Sequence, residues 1–385
     1  MIVKAPEAQT TTSFPPSSQS KTTKILHLIN GEHFAGAERV QDLLAGALPQ
    51  FGYDASFICL KPGKFKEVRK SSTKLFELNM RNAFDLFVVN EVVRAAHTDD
   101  YKLLHAHTPR SLMIGVLAAK KLDLPLVYHV HSPVGRDSTR KFRNRINTWI
   151  ETKCLSVVDA MICVSGSLKN YMQEIGHDKN KLHVVRNGVP ICEDVSDKPA
   201  PKDLWTIGTM ALYRPRKGIE ILLEALAILK QQQCPFHLRA VGGFETPQYE
   251  AEVKQLADQL DIADQVTWTG FEKDINAQFK QMDLFVLPSL FGEGLPMVVL
   301  ESMAQAVPVV ASNVEGIPEA IRDKVDGLIC DPGSANDMAA KILSAIQNPG
   351  NWQEFSRSSL QRQRNELSDA SMARGVANVY NTVLG

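Results

Sequence analysis

The chain has little that would mark a specialised architecture. Its six cysteines, Cys59, Cys154, Cys163, Cys192, Cys234 and Cys330, include no Cys-x-x-Cys pair, so neither a zinc knuckle nor a disulfide framework is encoded, and a reducing cytoplasm suits them. Apolar residues nowhere run on for the ~18 positions that a bilayer-spanning helix needs, so membrane contact is expected to be peripheral. Net charge is absent too, with 43 Lys+Arg against 43 Asp+Glu, which argues against a dedicated nucleic-acid binder. No Gly-x-Gly-x-x-Gly opens either half of the sequence, which removes the fingerprint of a dinucleotide oxidoreductase. There is no internal repeat, and 44% hydrophobic with 22% charged residues excludes fibrous and wholly disordered chains.

What is present begins with the distribution of that charge. Residues 1–190 hold 26 basic and 17 acidic side chains, and residues 191–385 hold 17 basic and 26 acidic ones. Halves of about +9 and −9 suggest two domains with unlike partners, the first facing something anionic such as a phospholipid surface or a phosphorylated substrate. Its cations cluster at 61–74 (Lys61, Lys64, Lys66, Arg69, Lys70, Lys74) and at 136–145 (Arg136, Arg140, Lys141, Arg143, Arg145). A length of 385 residues fits two or three domains at roughly 100–200 residues each.

Residues 1–23, with a Ser/Thr/Pro-rich run and no apolar core or cleavage site of a secretory signal, read as a disordered tail. From Lys24 onward short Val/Ile/Leu-rich runs alternate with stretches of helical periodicity, the pattern of βαβ units in a parallel sheet. Strands are expected at 25–29, 55–60, 103–106, 126–130, 160–164 and 182–185, then at 205–211, 236–241, 266–269, 284–288 and 307–311. Between the two sets, 191–203 is rich in Asp, Pro and Lys without periodicity and reads as a linker. The fold expected is therefore α/β, with two Rossmann-like doubly wound domains, 24–190 and 204–365, facing a central cleft, and a helix at 366–385 packing back on the first domain. Ligands of such folds lie beyond the carboxyl ends of the strands.

The most informative stretch is Leu290-Phe-Gly-Glu-Gly-Leu-Pro-Met-Val-Val-Leu-Glu301, directly after an expected strand. Pro296 suits the first turn of a helix. The amides of Gly294, Leu295 and Met297 would then face the cleft, where hydrogen bonds and the helix dipole favour an anion such as a diphosphate. Glu293 falls in the loop and Glu301 a little over one turn inside the helix. Carboxylates accept hydrogen bonds only, so this pair suits a polyhydroxylated ligand on either side of a diphosphate.

This Glu-x₇-Glu stretch, with Val307-Pro-Val-Val-Ala-Ser312 and Glu315-Gly-Ile-Pro-Glu319 after it, resembles the carboxyl-terminal half of the family-4 retaining glycosyltransferases of GT-B fold. The resemblance implies that Glu293 lies at the transferred sugar and that Glu301 binds the ribose hydroxyls of the nucleotide. Arg214-Pro-Arg-Lys-Gly218 resembles the basic loop that neutralises the departing diphosphate, with Lys217 in the matching place. The family's Gly-Arg pair is absent, its Arg falling near Ala211, and either Arg214 or Arg216 is expected to supply the guanidinium. Gly270-Phe271 matches the place where the nucleobase is held. Ala35-Gly-Ala-Glu38 is similar to the family's Gly-Gly-x-Glu loop, which carries over Gly36 as the residue approaching the diphosphate.

His105-x-His107 and His129-x-His131 place pairs of imidazoles on one strand face each. No carboxylate or cysteine completes a metal set, so no metal is expected. The resemblance makes His131 the residue beside the reacting sugar and puts His107 on the acceptor side. His105 and His129 read as core histidines. No Asp-x-Asp occurs, and transferases of the other major fold use that pair to hold a divalent metal. The expectation is a metal-independent enzyme, without cofactor, in which Lys217, an arginine and helix amides stabilise the leaving group.

The function expected is transfer of a sugar from a nucleotide-diphosphate donor to a saccharide or lipid-linked acceptor in polysaccharide or glycoconjugate synthesis. The cytoplasmic protein is expected to touch the inner face of an anionic membrane through 61–74 and 136–145, and to bind no nucleic acid. Alternatives of the same architecture are a nucleotide-sugar epimerase and an inactive scaffold subunit.

Overall fold

The structure, a computed structural model, describes residues 22–82, 85–132, 154–195 and 198–385. The basic segment 136–145 and nearly all of the expected tail lie outside the described residues. Strands β1 (Thr23–Ile29), β2 (Tyr53–Cys59), β3 (Leu75–Glu77), β4 (Tyr101–Ala106), β5 (Leu126–Val130), β6 (Ala160–Cys163) and β7 (Leu182–Val184) form one sheet in the order β3-β2-β1-β4-β5-β6-β7. A second sheet runs β10 (Val266–Gly270), β9 (Phe236–Val241), β8 (Trp205–Met210), β11 (Leu284–Leu287), β12 (Val309–Ser312) and β13 (Gly327–Cys330). The pairings within both sheets are parallel. Helices cover both faces, which is why the inner strands read as continuous apolar runs rather than alternating ones.

Two edge strands, β3 and β13, escape the sequence pattern: β3 is only partly buried and lacks a covered strand's apolar run, and β13 opens on Gly327, which reads as a turn residue. The strand expected at 307–311 begins instead at Val309, since Pro308 has no amide for the ladder.

Each sheet is doubly wound. The order reverses between β1 and β4 in the first and between β8 and β11 in the second, and a ligand crevice opens at such a reversal. The helices Ile219–Gln231 and Ala335–Gln347 pack together in the second domain, after which Pro349–Glu366 leads to a last helix, Asp369–Leu384. That helix lies against Gly36–Ala47 and the first sheet, burying Met372, Val376 and Tyr380. Val189 and Ser368 form a parallel bridge where the chain crosses. One apolar core consequently runs from the first sheet into the second domain through Leu295, Met297 and Leu300. A separate core around Leu222, Leu226 and Ile342 fills the far side of the second sheet.

Candidate active site

The loops leaving β8 and β11 meet at the reversal of the second sheet. After β8, Arg214 precedes a single 3-10 turn, Pro215–Lys217. Leu290 N–H donates to Arg216 C=O at 2.9 Å, and Arg216 Nη1 donates to the carbonyls of Phe291 and Gly292 at 3.2 and 3.1 Å. This lashing brings the Lys217 ammonium onto Glu293 Oε1, which also accepts from Ser289 Oγ at 2.6 Å. The Glu293 side chain is buried. Burial pushes its carboxyl pKa up, but the Lys217 charge and hydrogen bond, the Ser289 hydroxyl and Arg216 outweigh it and hold the group below the ordinary value. Burial in turn lowers Lys217 despite its partner.

The backbone of Glu293 is held on both sides: its N–H donates to Glu315 Oε2 and its C=O accepts from Gly316 N–H. Beyond it, helix Met297–Ala304 starts one residue later than expected, with Pro296 extended at the N-cap (φ −72°, ψ 120°) rather than in the first turn. Its carbonyl accepts from Val299 N–H at 3.1 Å. Among the described residues no acceptor is paired with the amides of Gly294, Leu295 and Met297.

Glu301, buried inside that helix, faces the first domain and pairs with Arg39 of helix Gly36–Ala47, whose Nη1 lies 3.3 Å from Oε2. Burial drives the Arg39 guanidinium down to about 10. Other contacts fix the two domains to each other here. Asn187 Nδ2 donates to Leu295 C=O at 2.9 Å, and Glu319 accepts from the amides of Gly166 and Ser167 at 2.8 and 2.7 Å, at the start of helix Gly166–Glu174. The approach requires glycine at position 294, where a Cβ would lie 2.1 Å from His131 O, and within the second domain a Cβ on Gly316 would lie only 1.7 Å from Gly294 O.

Residues 192–363 match the family described as Glycosyl transferases group 1, and residues 34–192 match Glycosyltransferase Family 4. The chain belongs to the family-4 glycosyltransferases of GT-B fold. It is similar to an Escherichia coli UDP-Gal:alpha-D-GlcNAc-diphosphoundecaprenol alpha-1,3-galactosyltransferase, 23% identical over 86% of this chain and 89% of that one. An alpha-maltose-1-phosphate synthase of Mycobacterium tuberculosis is 27% identical over 76% of this chain and 82% of its own. In fold it resembles Anabaena HepE solved with UDP, at a TM-score of 0.81 and 22% identity, covering 94% of this chain and 100% of that one.

In this glycosyltransferase the first domain brings five imidazoles together behind the loop. His27, His105, His107 and His129 are buried, and His131 caps the row. His27 Nδ1 lies 3.0 Å from His107 Nε2, and His107 Nδ1 lies 3.1 Å from His131 Nε2. Burial lowers all five, His27 to about 3 and His131 to about 4, so they are neutral near pH 7. Two triads, His27/His105/His107 and His107/His129/His131, bring ring nitrogens within 4.8 Å of one another. A metal would need in-plane lone pairs converging on one point. The ring planes of the second triad instead lie 13–29° apart, near parallel, so their lone pairs do not converge on one point, and both nitrogens of His107 already face other imidazoles. The array fits hydrogen bonding better than an ion.

The structure gathers Lys217, Glu293, Gly294, Leu295, Met297, Glu301 and His131 around one junction of the domains. His107 is buried behind His131. Arg214 lies 3.9 Å from Glu245 at the loop's outer end. Gly36 opens its helix in free space, where a Cβ would meet nothing within 4 Å, so the backbone there does not require glycine. Gly270 ends β10 at φ +72°, and Phe271 beyond it is 76% exposed. Between the domains a cavity of ≈ 290 Å³ is walled by Ser167, Leu168, Asn170, Tyr171 and Glu174 and floored by Gly294 and Glu315. Sequence reasoning missed Arg39, Ser289, Glu315 and Glu319. Glu315 and Glu319 were visible as part of a motif, but Arg39 lies off the apolar stripe of its helix and carried no signal.

Proposed function

We propose that this glycosyltransferase moves a sugar, with retention of anomeric configuration, from a nucleotide-diphosphate donor in the second domain to a saccharide or lipid-linked acceptor against the first. The observation that carries the reading is the buried Lys217–Glu293 pair at the sheet reversal, beside the amides of Gly294, Leu295 and Met297, which have no acceptor among the described residues. A diphosphate there meets amide donors, the Lys217 ammonium and a guanidinium in a site shielded from water, where such charges act strongly. Arg214 and Arg216 flank Lys217 on the same loop, and one of them is assigned as the second cation. These groups do the work of a metal ion.

Glu293, kept ionised by its neighbours, positions the sugar. Its carboxylate is already engaged by an ammonium and a hydroxyl, which suits it to orienting hydroxyl groups better than to attack. The acceptor hydroxyl then approaches on the face from which the diphosphate leaves, and the leaving phosphate takes its proton. Glu301 accepts from the ribose hydroxyls once Arg39 yields, Gly36 borders the diphosphate, and Gly270 with the exposed Phe271 borders the base. His131 aligns the reacting groups, and His107 supports it. The cavity walled by Ser167 and Tyr171 is the assigned acceptor side. The curated relative that acts on a diphosphoundecaprenol-linked sugar and the HepE complex with UDP and glucose support these substrate classes.

A cytoplasmic site at the inner face of an anionic membrane is part of the proposal. No helix among the described residues is long and apolar enough to cross a membrane. In the 61–74 cluster Lys61, Lys66 and Lys74 are paired with Glu32, Glu77 and Asp99, which leaves Lys64, Arg69 and Lys70 as its principal attraction for lipid phosphates.

The test is incubation with UDP-, GDP- and ADP-sugars and a panel of lipid-linked and free saccharides. Proton NMR of the new glycosidic linkage reads its configuration. An inverted product refutes retention. Epimerised nucleotide-sugar formed without acceptor refutes transfer.

A further inference from the structure

The row of imidazoles does not end at His27. Tyr380, on the last helix, places its hydroxyl 2.5 Å from His105 Nδ1 and 3.2 Å from His27 Nε2. With the two links already described, a continuous chain runs His105–Tyr380–His27–His107–His131. Its ends, His105 Nε2 and His131 Nδ1, are buried and have no hydrogen-bond partner among the described residues. We propose that Tyr380 fixes the tautomer of His131 through His27 and His107, holding its proton on Nε2 and leaving Nδ1 as a hydrogen-bond acceptor.

A neutral imidazole has one N–H and one lone pair, so it donates on one side and accepts on the other. Linked in series, such rings have only two arrangements, all pointing one way or all the other. The phenol decides between them because it has a single proton for two nitrogens. Its shorter contact, 2.5 Å, is with His105 Nδ1 and its longer one, 3.2 Å, with His27 Nε2; hydroxyl donors make the shorter bonds, so the phenol is assigned as the donor to His105. The phenol oxygen then accepts from His27 Nε2–H, His27 Nδ1 accepts from His107 Nε2–H, and His107 Nδ1 accepts from His131 Nε2–H. Each of the five groups keeps one proton. The cost falls on His105, whose Nε2–H is left without a described acceptor. His129 takes no part: it stacks on His105 at 5.3 Å and on His131 at 4.4 Å as a flat neighbour.

Tyr380 is thus a positioning residue contributed by the helix that closes the chain. The functional consequence rests on the reading that His131 lies beside the reacting sugar, whereas the tautomer does not. An Nδ1 acceptor suits a hydroxyl donor on the sugar or the acceptor.

The experiment is long-range proton–nitrogen NMR of the full chain labelled with ¹⁵N-histidine, the His131 resonances being assigned by their loss in His131→Gln. The wild type is expected to show His131 protonated on Nε2. A proton on Nδ1 overturns the proposal without any variant. Tyr380→Phe keeps the ring and removes the link. His131 should then show mixed tautomers, and kcat should fall about tenfold or more with the donor KM nearly unchanged, since a mis-set imidazole tautomer is costly in catalysis. Tyr53→Phe is the control, because Tyr53 donates to Asn381 of the same helix at 2.5 Å outside the chain. It should lower stability and leave the His131 spectrum as in wild type. Equal spectral effects of the two variants, or none from Tyr380→Phe, overturn the relay. A shifted tautomer with unchanged kcat upholds the relay and refutes instead the placement of His131 at the reacting sugar.

Discussion

Replacing Lys217 with methionine keeps the aliphatic stem and deletes the ammonium that neutralises Glu293. The Lys217 and Glu293 side chains are only 16% and 7% exposed, so water cannot compensate the abandoned carboxylate. Breaking such a pair from one side costs ~3–5 kcal/mol, which at ~2–4 °C per kcal/mol lowers the unfolding midpoint by roughly 10 °C. The pH dependence separates this cause from general damage. In the wild type the Glu293 pKa is depressed, so its contribution to stability is present above the ordinary carboxyl value and is lost as pH falls through the folded one. In Lys217→Met burial is opposed only by the Ser289 hydroxyl and the Arg216 charge, and the pKa rises. The site's contribution is then intact at low pH and is lost as pH rises through the raised value. Calorimetry across pH 4–8 should therefore show a gap between the two proteins that is smallest at the acid end and widens toward neutrality. Lys217→Met/Glu293→Gln, with both charges gone, should recover most of the loss. A gap independent of pH, or a double variant no more stable than the single one, refutes the reasoning. Transfer should fall ~10²–10³-fold in the single variant.

Gly294→Ala puts a methyl 2.1 Å from His131 O and should force the domains apart. Calorimetric titration should show weaker nucleotide diphosphate binding by a protein whose circular dichroism is unchanged, and unaltered affinity would count against the close approach. Arg39→Leu strands the buried Glu301 charge and should cost ~1–3 kcal/mol, read by urea unfolding. Because Arg39 occupies the carboxylate assigned to the ribose, the same variant should bind nucleoside diphosphate more tightly, and weaker binding would refute that assignment. Against the upward push of burial, hydrogen bonds from Arg322, Ser358 and Arg362 hold the Asp326 carboxyl down to about 2. Its contribution, about 2 kcal/mol, should vanish between pH ~4 and ~2 in the wild type. Asp326→Asn should lack that step in acid denaturation, and an identical acid limb in both proteins would refute the pairing.

The fold was legible in the sequence wherever a local rule decided the outcome. Continuous apolar runs announced β1, β5 and β11, because strands covered on both faces need no alternation. The glycines and proline around Glu293 placed it in a loop ahead of the helix that carries Glu301. Strand alternation put His105 with His107, and His129 with His131, on shared faces. The sequence pattern failed at the edge strands β3 and β13, and it set Pro296 in the first turn of the helix where the structure has it at the N-cap.

Other features depend on parts of the chain that no window of sequence contains together. Arg39 meets Glu301 only because the two sheets present their reversals to each other. His27 joins the imidazoles because β1 pairs with β4 in the register that sets it beside His105, and Tyr380 joins them because the last helix returns to the first domain. By itself the sequence determined which segments are strands and helices and which loop holds the anion-seeking groups, since backbone preference and burial pattern are local properties. Tertiary structure alone decided the partner of each charge and the order of the hydrogen-bonded row, because an ion pair or a shared proton is fixed by distances of about 3 Å between atoms, whatever their separation along the chain.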